Sequence, residues 1–474
     1  MQIKFFNSYL DLPKIFYSYE RPDFLQNPQI ITFNKNLSSE LELEGFCKEE
    51  ILKNFSKDER EEKSPSISLI YAGHQFGHFS PQLGDGRAVL LGQVKDKNNS
   101  CFDLQLKGSG RTKFSRNGDG KYPLHPAIKE YIISEAVFHL GIPTTRSLCL
   151  ISTNEPVFRE NSENGAILCR VAKSHIRFGT FEYFYHQNDL ENIRILSDFS
   201  IKNYYPKCQE KENPYLSFFK EVYKNQIELI SNWMSFGFIH GVMNTDNCLI
   251  SGEAIDFGPC AFMDEYKKDQ TFSYIDRHGR YSYENQKPIT LWNLIRFAES
   301  ILPLINPDLK IAISEIEKII ADFESDFDKK YYSKMLKKIG LQNDCPQNRN
   351  LVDEFLEMLE ENNLDFTNSF RNLSNKVADK SLEQFITKLK SAVKEEGGDF
   401  ENSTKLMNKH NPVYIPRSHI IQKISDAAIK ENDYTKLEEF LKIIQNPFKE
   451  QNVDSFYQGL PKEEERVENT FCGT

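Results

Sequence analysis

The sequence predicts an α+β chain of two lobes followed by a long helical elaboration, and three observations carry that prediction. Short β-capable runs and a helical segment succeed one another through the first 185 residues. A helical stretch then leads into a mixed apolar and polar segment, FIHGVMNTDNCLISGEAIDFGPCAFM, from Phe238 to Met263. Beyond about Leu291 the pattern is almost wholly helical in period, with acidic and lysine-rich faces.

The elements follow in order. The first sixty residues mix aromatic stretches with a charged run, Lys57 to Lys63, that reads as a solvated helix end or loop. From Ser66 to Val94 the chain is apolar and rich in glycine. Its last part, AVLLGQV, is followed by a polar turn from Lys95 to Ser100 and then by FDLQLKG, which predicts a β-hairpin. A polar loop, GSGRTKFSRNGDGKYPLHP, leads to apolar residues at helical spacing from Ala127 to Leu140, ended by Gly141-Ile142-Pro143. SLCLIST and AILCRVA predict two further strands. Two strands with a lysine in the second, then a helix, then more strands is the element order of a protein-kinase N-lobe. Gln187 to Phe236 is mostly helical in pattern. Asp308 to Lys449 reads as helical elaboration without internal repeat or coiled-coil heptad, its charge runs being solvated faces. The expected division is residues 1–185 for the N-terminal region and N-lobe, 186–300 for the C-lobe, and 301–474 for the helical extension with a cysteine-containing tail.

Composition narrows the function classes. With 39% hydrophobic residues, 36 Phe and 21 Tyr, the 474-residue chain can bury a substantial core. A formal charge of −10 argues against a surface devoted to nucleic acid, while leaving room for a local basic pocket. No apolar run approaches the roughly 20 residues that cross a bilayer, so no membrane partner is expected. The first residues lack the apolar core of a signal peptide. Nine cysteines form no CxxC pair, which predicts neither a zinc site nor a disulfide framework. A reducing cytoplasm fits, and the Lys/Asn/Ile-rich usage points to an AT-rich bacterial genome.

The segment from Phe238 carries the chemistry. Kinases use H-R-D, an Asn five residues later and D-F-G to bring a base, a metal-binding amide and a metal-binding carboxylate to ATP. Here His240 and Asn247 hold the outer positions of such a loop, and Asp256-Phe257-Gly258 supplies the carboxylate. The base position is Val242, which cannot accept a proton. The chain is therefore expected to hold a nucleotide and a divalent ion without ordinary γ-phosphoryl transfer. Asp246 is the remaining carboxylate and could serve as base, as a metal ligand through water, or as a loop cap. The oxygen donors of Asn247 and Asp256 suit Mg²⁺ or Mn²⁺ rather than zinc. Lys107 ends its strand and Glu130 lies on the following helix, the arrangement in which a carboxylate orients a phosphate-binding ammonium. Gly84-Asp85-Gly86-Arg87 stands where a kinase has its glycine-rich loop, with backbone amides open to phosphate. A second loop, Gly118-Asp119-Gly120 with Arg111, Arg116 and Lys121 nearby, suggests additional phosphate contact or a lid. Arg170 and Arg177, seven apart, could clamp a terminal phosphate or form structural ion pairs. His175 reads as a packing or hydrogen-bonding residue.

Taken together, YAGHQFGHFSPQLGDGRAVLLGQV, LQLKGSGRTKFSRNGDG, EYIISEAVFHLGIPTTRSL, RVAKSHIRFGTFEYF, HGVMNTDNCLISGEAIDFGPCAFMD, GRYSYENQ, NPVYIPRSH and the terminal FCGT resemble the selenoprotein O family of kinase-like protein adenylyltransferases. The resemblance spans most of the chain and implies a bilobal protein-kinase-like fold. It also implies an inverted ATP, whose α-phosphate faces the acceptor, so that AMP passes to a Ser, Thr or Tyr hydroxyl of a protein and pyrophosphate leaves. Carried onto this chain, Lys107 contacts phosphate and pairs with Glu130, while Gly84, Gly86, Arg87, Asp119, Gly120, Arg170 and Arg177 match nucleotide-binding positions. Asp246 matches the proton acceptor, and Asn247 and Asp256 match the metal ligands, Asp256 thereby belonging to the nucleotide site as well. Some relatives are associated with uridylyl transfer from UTP in the presence of Mn²⁺, and no residue here selects the nucleotide. Two departures stand out. KYPLHPAIKEY lacks the arginines of many members, and Cys472 holds the place where animal members carry selenocysteine, leaving a redox role open. The competing readings are a true kinase using Asp246 as its base and a nucleotide-binding pseudoenzyme scaffold.

Overall fold

The computed structural model describes residues 3–23, 25–46, 48–56, 65–159, 162–375, 380–467 and 470. The charged run from Lys57 to Lys63 and Cys472 lie outside the described residues. In chain order the strands are β1 (Tyr17–Tyr19), β2 (Gln29–Phe33), β3 (Ile67–Leu69), β4 (Gly73–Gln75), β5 (His78–Ser80), β6 (Ala88–Lys95), β7 (Cys101–Lys107), β8 (Tyr122–Pro123), β9 (Arg146–Phe158), β10 (Ser162–Ala172), β11 (Phe238–Ile239) and β12 (Ala261–Phe262). One antiparallel sheet runs β1-β3-β6-β7-β10-β9-β2, with β8 attached to β10. The predicted hairpin is β6–β7. Its turn closes because Asp96 Oδ1 accepts from the backbone N–H groups of Asn98 (2.9 Å) and Ser100 (2.7 Å). SLCLIST and AILCRVA fall inside β9 and β10, which run longer because their paired, largely polar ends extend the hairpin beyond the covered part of the sheet. The first residues, unassigned by pattern, supply β1 and β2 at opposite ends of the strand order.

The helices begin with α1 (Lys35–Glu40) and α2 (Lys48–Ser56). Together with the sheet they enclose a small apolar cluster that includes Leu37, Leu41, Ile51 and Phe55. Helix α3 (Leu124–His139) starts three residues before Ala127. Pro126 is tolerated there because the first turn of a helix has no intrahelical acceptor for its N–H groups. Helix α3 packs on β9 and β10, and helices of the C-terminal part lie against it from elsewhere. This explains why its buried residues surround it rather than forming a stripe. Next come α4 (Phe178–Tyr185), α5 (Leu190–Tyr204), α6 (Pro214–Ser235) and α7 (Gln286–Ile305). The elaboration consists of α8 (Leu309–Ile320), α9 (Phe323–Lys338), α10 (Pro346–Glu361), α11 (Phe366–Asn375), α12 (Lys380–Glu395), α13 (Phe400–His410), α14 (Ser418–Lys430) and α15 (Thr435–Ile443). A continuous core, built largely of Phe, Tyr, Leu and Ile, links the sheet and α3 through α6 and α7 to these helices. The architecture is thus α+β, with a kinase-like sheet region and a large helical elaboration.

The solvated-face reading of the C-terminal charges has exceptions, Asp365 (8% exposed) and Arg371 (9%) among them. Lys338 and Arg417 are buried, each 2% exposed. Among the described residues no helix is long and apolar enough to cross a membrane.

Candidate active site

A cavity of about 590 Å³ is lined by both glycine loops, the ends of the sheet strands, and the Phe238–Met263 segment. Its charged wall begins with strand register. Arg170 on β10 lies opposite Gln105, and Leu168 lies opposite Lys107, so Arg170 and Lys107 share one face of the sheet. Gln105 accepts from Arg170 Nη2 (2.7 Å) and so fixes the guanidinium. Lys107 Nζ donates to Glu130 Oε2 of α3 (2.6 Å) and to Asp256 Oδ1 (3.0 Å). Arg170 donates to the same Asp256 oxygen (2.7 Å), and Arg177 donates to Oδ2 (2.9 Å) and to the Asp246 carbonyl (2.5 Å). Three cations therefore converge on one carboxylate. Burial alone would push Asp256 up, but Lys107, Arg170 and Arg177 hold it well below the usual carboxylate range. Burial likewise opposes the charge on Arg177, and Tyr71, Asp256 and Asp85 outweigh it to raise the guanidinium further. Glu130 does not line the cavity. It sits behind Lys107, where Tyr122 Oη also donates to it (2.7 Å).

The glycine loops form another part of the lining. Gly84, Gly86 and Arg87 precede β6, and the Arg87 guanidinium lies 4.8 Å from the centre of the Tyr122 ring. The Lys107 ammonium lies 4.7 Å from the same ring centre. In the second loop Gly120 has φ +72°, and a Cβ there would lie 2.1 Å from the Gly110 carbonyl, so glycine is required. Asp119 is held by Arg159 through two hydrogen bonds of 2.8 and 2.9 Å, which draws its carboxyl below the ordinary value. Lys121 meets Glu155 (3.2 Å), and Arg111 donates to the Arg116 carbonyl (3.2 Å). Asp119 and Lys121 are thus engaged with the β9–β10 hairpin.

The segment that follows α6 sets the remaining donors. His240 stacks on Trp233 and bonds the Ile255 carbonyl (2.8 Å), tying the loop to the strand pair β11–β12. Burial lowers the His240 pKa, consistent with a structural imidazole. Val242 is buried on the cavity wall. Asn247 Nδ2 donates to the Val242 carbonyl (3.0 Å), which fixes the amide and leaves its oxygen as a potential ligand. Asp256 sits at φ +63°, a backbone conformation uncommon outside glycine. Asp246 is buried on the cavity wall. Burial pushes its carboxyl up to about 6, against the opposing influence of Arg177 and of a hydrogen bond from Gln75.

The all-oxygen pair Asn247 and Asp256 fits a hard divalent ion. Among the described residues no group of three or more His, Cys, Asp or Glu side chains gathers as a metal cage. A two-ligand set suits Mg²⁺, which keeps several waters and takes substrate phosphates as partners.

Gly84, Gly86, Arg87, Lys107, Asp119, Gly120, Arg170, Arg177, Asp246, Asn247 and Asp256 line this cavity and Glu130 lies behind Lys107, whereas Arg111 and His240 do not line it. Arg170 and Arg177 do not clamp empty space, since in this state both are ion-paired to Asp256. His175 is buried away from the cavity and bonds Asp103 (3.0 Å). Sequence reasoning passed over Asp85, Tyr122 and Arg159. Asp85 is buried at the centre of its glycine turn. It accepts from the Leu69 N–H (3.1 Å) and Gln105 (3.1 Å), and it lies 3.7 Å from Arg177. The signal was present in Gly84-Asp85-Gly86, where the glycines alone were read for phosphate contact.

Comparisons with known proteins extend over nearly the whole chain. A family model described as protein adenylyltransferase SelO matches residues 1–445. The protein nucleotidyltransferase YdiU of Clostridium perfringens is 44% identical over 481 residues, covering 99% of this chain and 97% of its own. Its counterparts from Clostridium botulinum strain Alaska E43 and Maridesulfovibrio salexigens are each 42% identical, covering 99% of this chain and 97% and 98% of their own lengths. This chain belongs to the SelO/YdiU family of nucleotidyltransferases.

Proposed function

We propose that this protein transfers AMP from ATP, or UMP from UTP, to Ser, Thr or Tyr hydroxyls of protein substrates and releases pyrophosphate. One observation carries this reading: the kinase base position is Val242, while a buried carboxylate, Asp246, stands beside a cluster of three cations suited to polyphosphate. The acceptor oxygen attacks the α-phosphorus as its proton passes to Asp246. The bond between the α-phosphorus and the α–β bridging oxygen breaks, and its electron pair leaves with pyrophosphate. Lys107, Arg170 and Arg177 neutralise the phosphates, and Glu130 with Tyr122 holds the Lys107 ammonium in place. Asn247 and Asp256 would hold Mg²⁺ or Mn²⁺, which supplies further neutralisation of polyphosphate charge when bound. With the ion bound, Asp256 would give up part of its ion pairing, leaving Lys107, Arg170 and Arg177 to phosphate. Positioning and charge compensation do most of the catalytic work. The free thiols of the seven described cysteines support action in a reducing bacterial cytoplasm.

The test compares labelling of protein by ATP radiolabelled at the α- or the γ-phosphate, in Mg²⁺ and in Mn²⁺, with an Asp256→Ala control. Label from the α-position alone is expected. Label from the γ-position would make the protein a kinase, and label from neither would favour a nucleotide-binding scaffold.

A further inference from the structure

The segment from Gly73 to Ser80 lies outside both the main sheet and the charge cluster. Strands β4 and β5 form a hairpin of their own, turned by Phe76 and Gly77 at φ +52° and +84°. Both central residues are left-handed, as the tightest hairpin turns require, although phenylalanine is an unfavourable residue there. The hairpin meets the catalytic loop residue by residue. The His74 N–H donates to Thr245 Oγ1 (2.8 Å), Gln75 Nε2 donates to Asp246 Oδ2 (3.2 Å), and the Phe76 N–H donates to Asn244 Oδ1 (3.0 Å). Both loop side chains that receive these backbone bonds are themselves anchored. Tyr281 Oη donates to Asn244 Oδ1 (2.6 Å), and the Phe76 and Tyr281 rings meet edge-on at 5.1 Å. Thr245 donates to Glu182, whose other oxygen meets His74 Nδ1 (2.6 Å).

Asp246 is bracketed by this hairpin. At Gly73 a Cβ would lie 2.6 Å from Asp246 Oδ1 and 2.9 Å from its Cβ, so only glycine admits the carboxylate. Gln75 meets Oδ2, whereas Oδ1 is buried without a hydrogen-bond partner among the described residues. A carboxylate held by one side-chain donor can swing about its terminal torsion when that donor is lost. A base must lie within hydrogen-bond reach of the proton it takes.

We propose that Gln75 is a positioning residue for the transfer reaction, holding the Asp246 carboxylate while the Gly73–Ser80 hairpin clamps its loop. The inference rests on the assignment of Asp246 as proton acceptor made above. Gln75 touches no reacting atom in this scheme and acts through Asp246.

The test is Gln75→Met, which keeps the length and bulk of the side chain and removes the donor. Steady-state transfer from α-labelled ATP is measured beside hydrogen–deuterium exchange over residues 242–248 and thermal melting. Expected are a fall in kcat of about 10- to 100-fold, a KM for ATP within about twofold of wild type, faster exchange over 242–248, and an unchanged Tm. Wild-type kcat together with wild-type exchange would overturn the proposal. So would parallel changes in KM and Tm, which would mark a general structural role. Absence of transfer in the wild-type protein would instead sink the proposed function, and unchanged exchange in the variant would still sink the clamp.

Discussion

Lys107 and Lys338 are both buried, at 4% and 2% exposure, yet their surroundings are opposite. Lys107, at the end of β7, is met by Glu130 and Asp256 and belongs to a cluster in which Arg170 shares both carboxylates and Arg177 shares Asp256. Lys338, at the end of α9, forms no ion pair among the described residues. Its ammonium lies 4.5 to 5.5 Å from the ring centres of Phe370, Phe236 and Phe366. Burial alone lowers its pKa to about 7. In the cavity, charge is compensated by carboxylates that, under the proposed function, are reassigned to phosphate and metal. In the helical elaboration the same desolvation is unrelieved, and only the ring faces offset it. A buried lysine therefore marks function when its partners are exchangeable, and a tolerated stability penalty when it has none.

Four substitutions test that contrast. Asp256→Ala removes the shared carboxylate and is expected to lower transfer by at least about 100-fold. It also leaves Lys107, Arg170 and Arg177 facing one another, so melting should fall without nucleotide and recover when ATP and Mg²⁺ are added. Full activity in that variant, read by α-labelling, would break the assignment of the charged wall.

The second substitution lies in the helical part. Arg417 is buried like Lys338, but it donates to Asp365 (2.7 and 2.9 Å) and to Asp264, just beyond β12. Arg417→Met leaves Asp365 buried and unpaired, so a loss of about 3–5 kcal/mol is expected from denaturant unfolding. A neutral result would mean that pairing is not what separates the two regions.

Lys338→Met should act in the opposite direction and stabilise the fold by about 1–4 kcal/mol at neutral pH, by analogy with the replacement of other buried charges. The pH dependence has a definite sign. The folded amine titrates near 7, whereas the unfolded amine stays protonated to about 10.4. Between these values the unfolded chain binds more protons, so the Lys338 contribution makes stability rise with pH through that window. Below pH 7 the amine is charged in both states and its penalty is greatest. Urea midpoints at pH 6, 8 and 9.5 should therefore show the wild type approaching the methionine variant as pH rises.

The smallest expected effect is that of Val242→Asp. It restores a carboxylate at the kinase base position, yet under the proposed function no γ-phosphate transfer should appear, because an inverted ATP presents its α-phosphate to the acceptor. Measurable γ-labelling in that variant would mean that Val242 alone separates this protein from a kinase.

Legibility in the sequence followed locality. The β6–β7 hairpin was readable because two apolar runs flank a turn rich in Asp, Asn and Ser. Helix α3 was readable from its spacing and its Gly-Ile-Pro stop, with only the start displaced by Pro126. His240, Asn247 and Asp256 stood out because their spacing is compact. Asp85 and Tyr122 were not legible as site residues, because their partners lie 20 and 8 residues away or on other elements. Gln75 was not legible as an Asp246 contact at all, since 171 residues separate them.

The sequence by itself determined the alternation of strands and helices, the residue types available for phosphate and metal, and the absence of a carboxylate at position 242. Hydrophobic period and turn chemistry act over a few residues, so such features are written in adjacent letters. Tertiary structure alone decided that β1 and β2 join the sheet, that Asp256 collects three cations, that Lys338 is sealed among rings, and that a distant hairpin grips Asp246. Those outcomes depend on which surfaces exclude water from one another, and desolvation is a property of the packed chain rather than of any local run of residues.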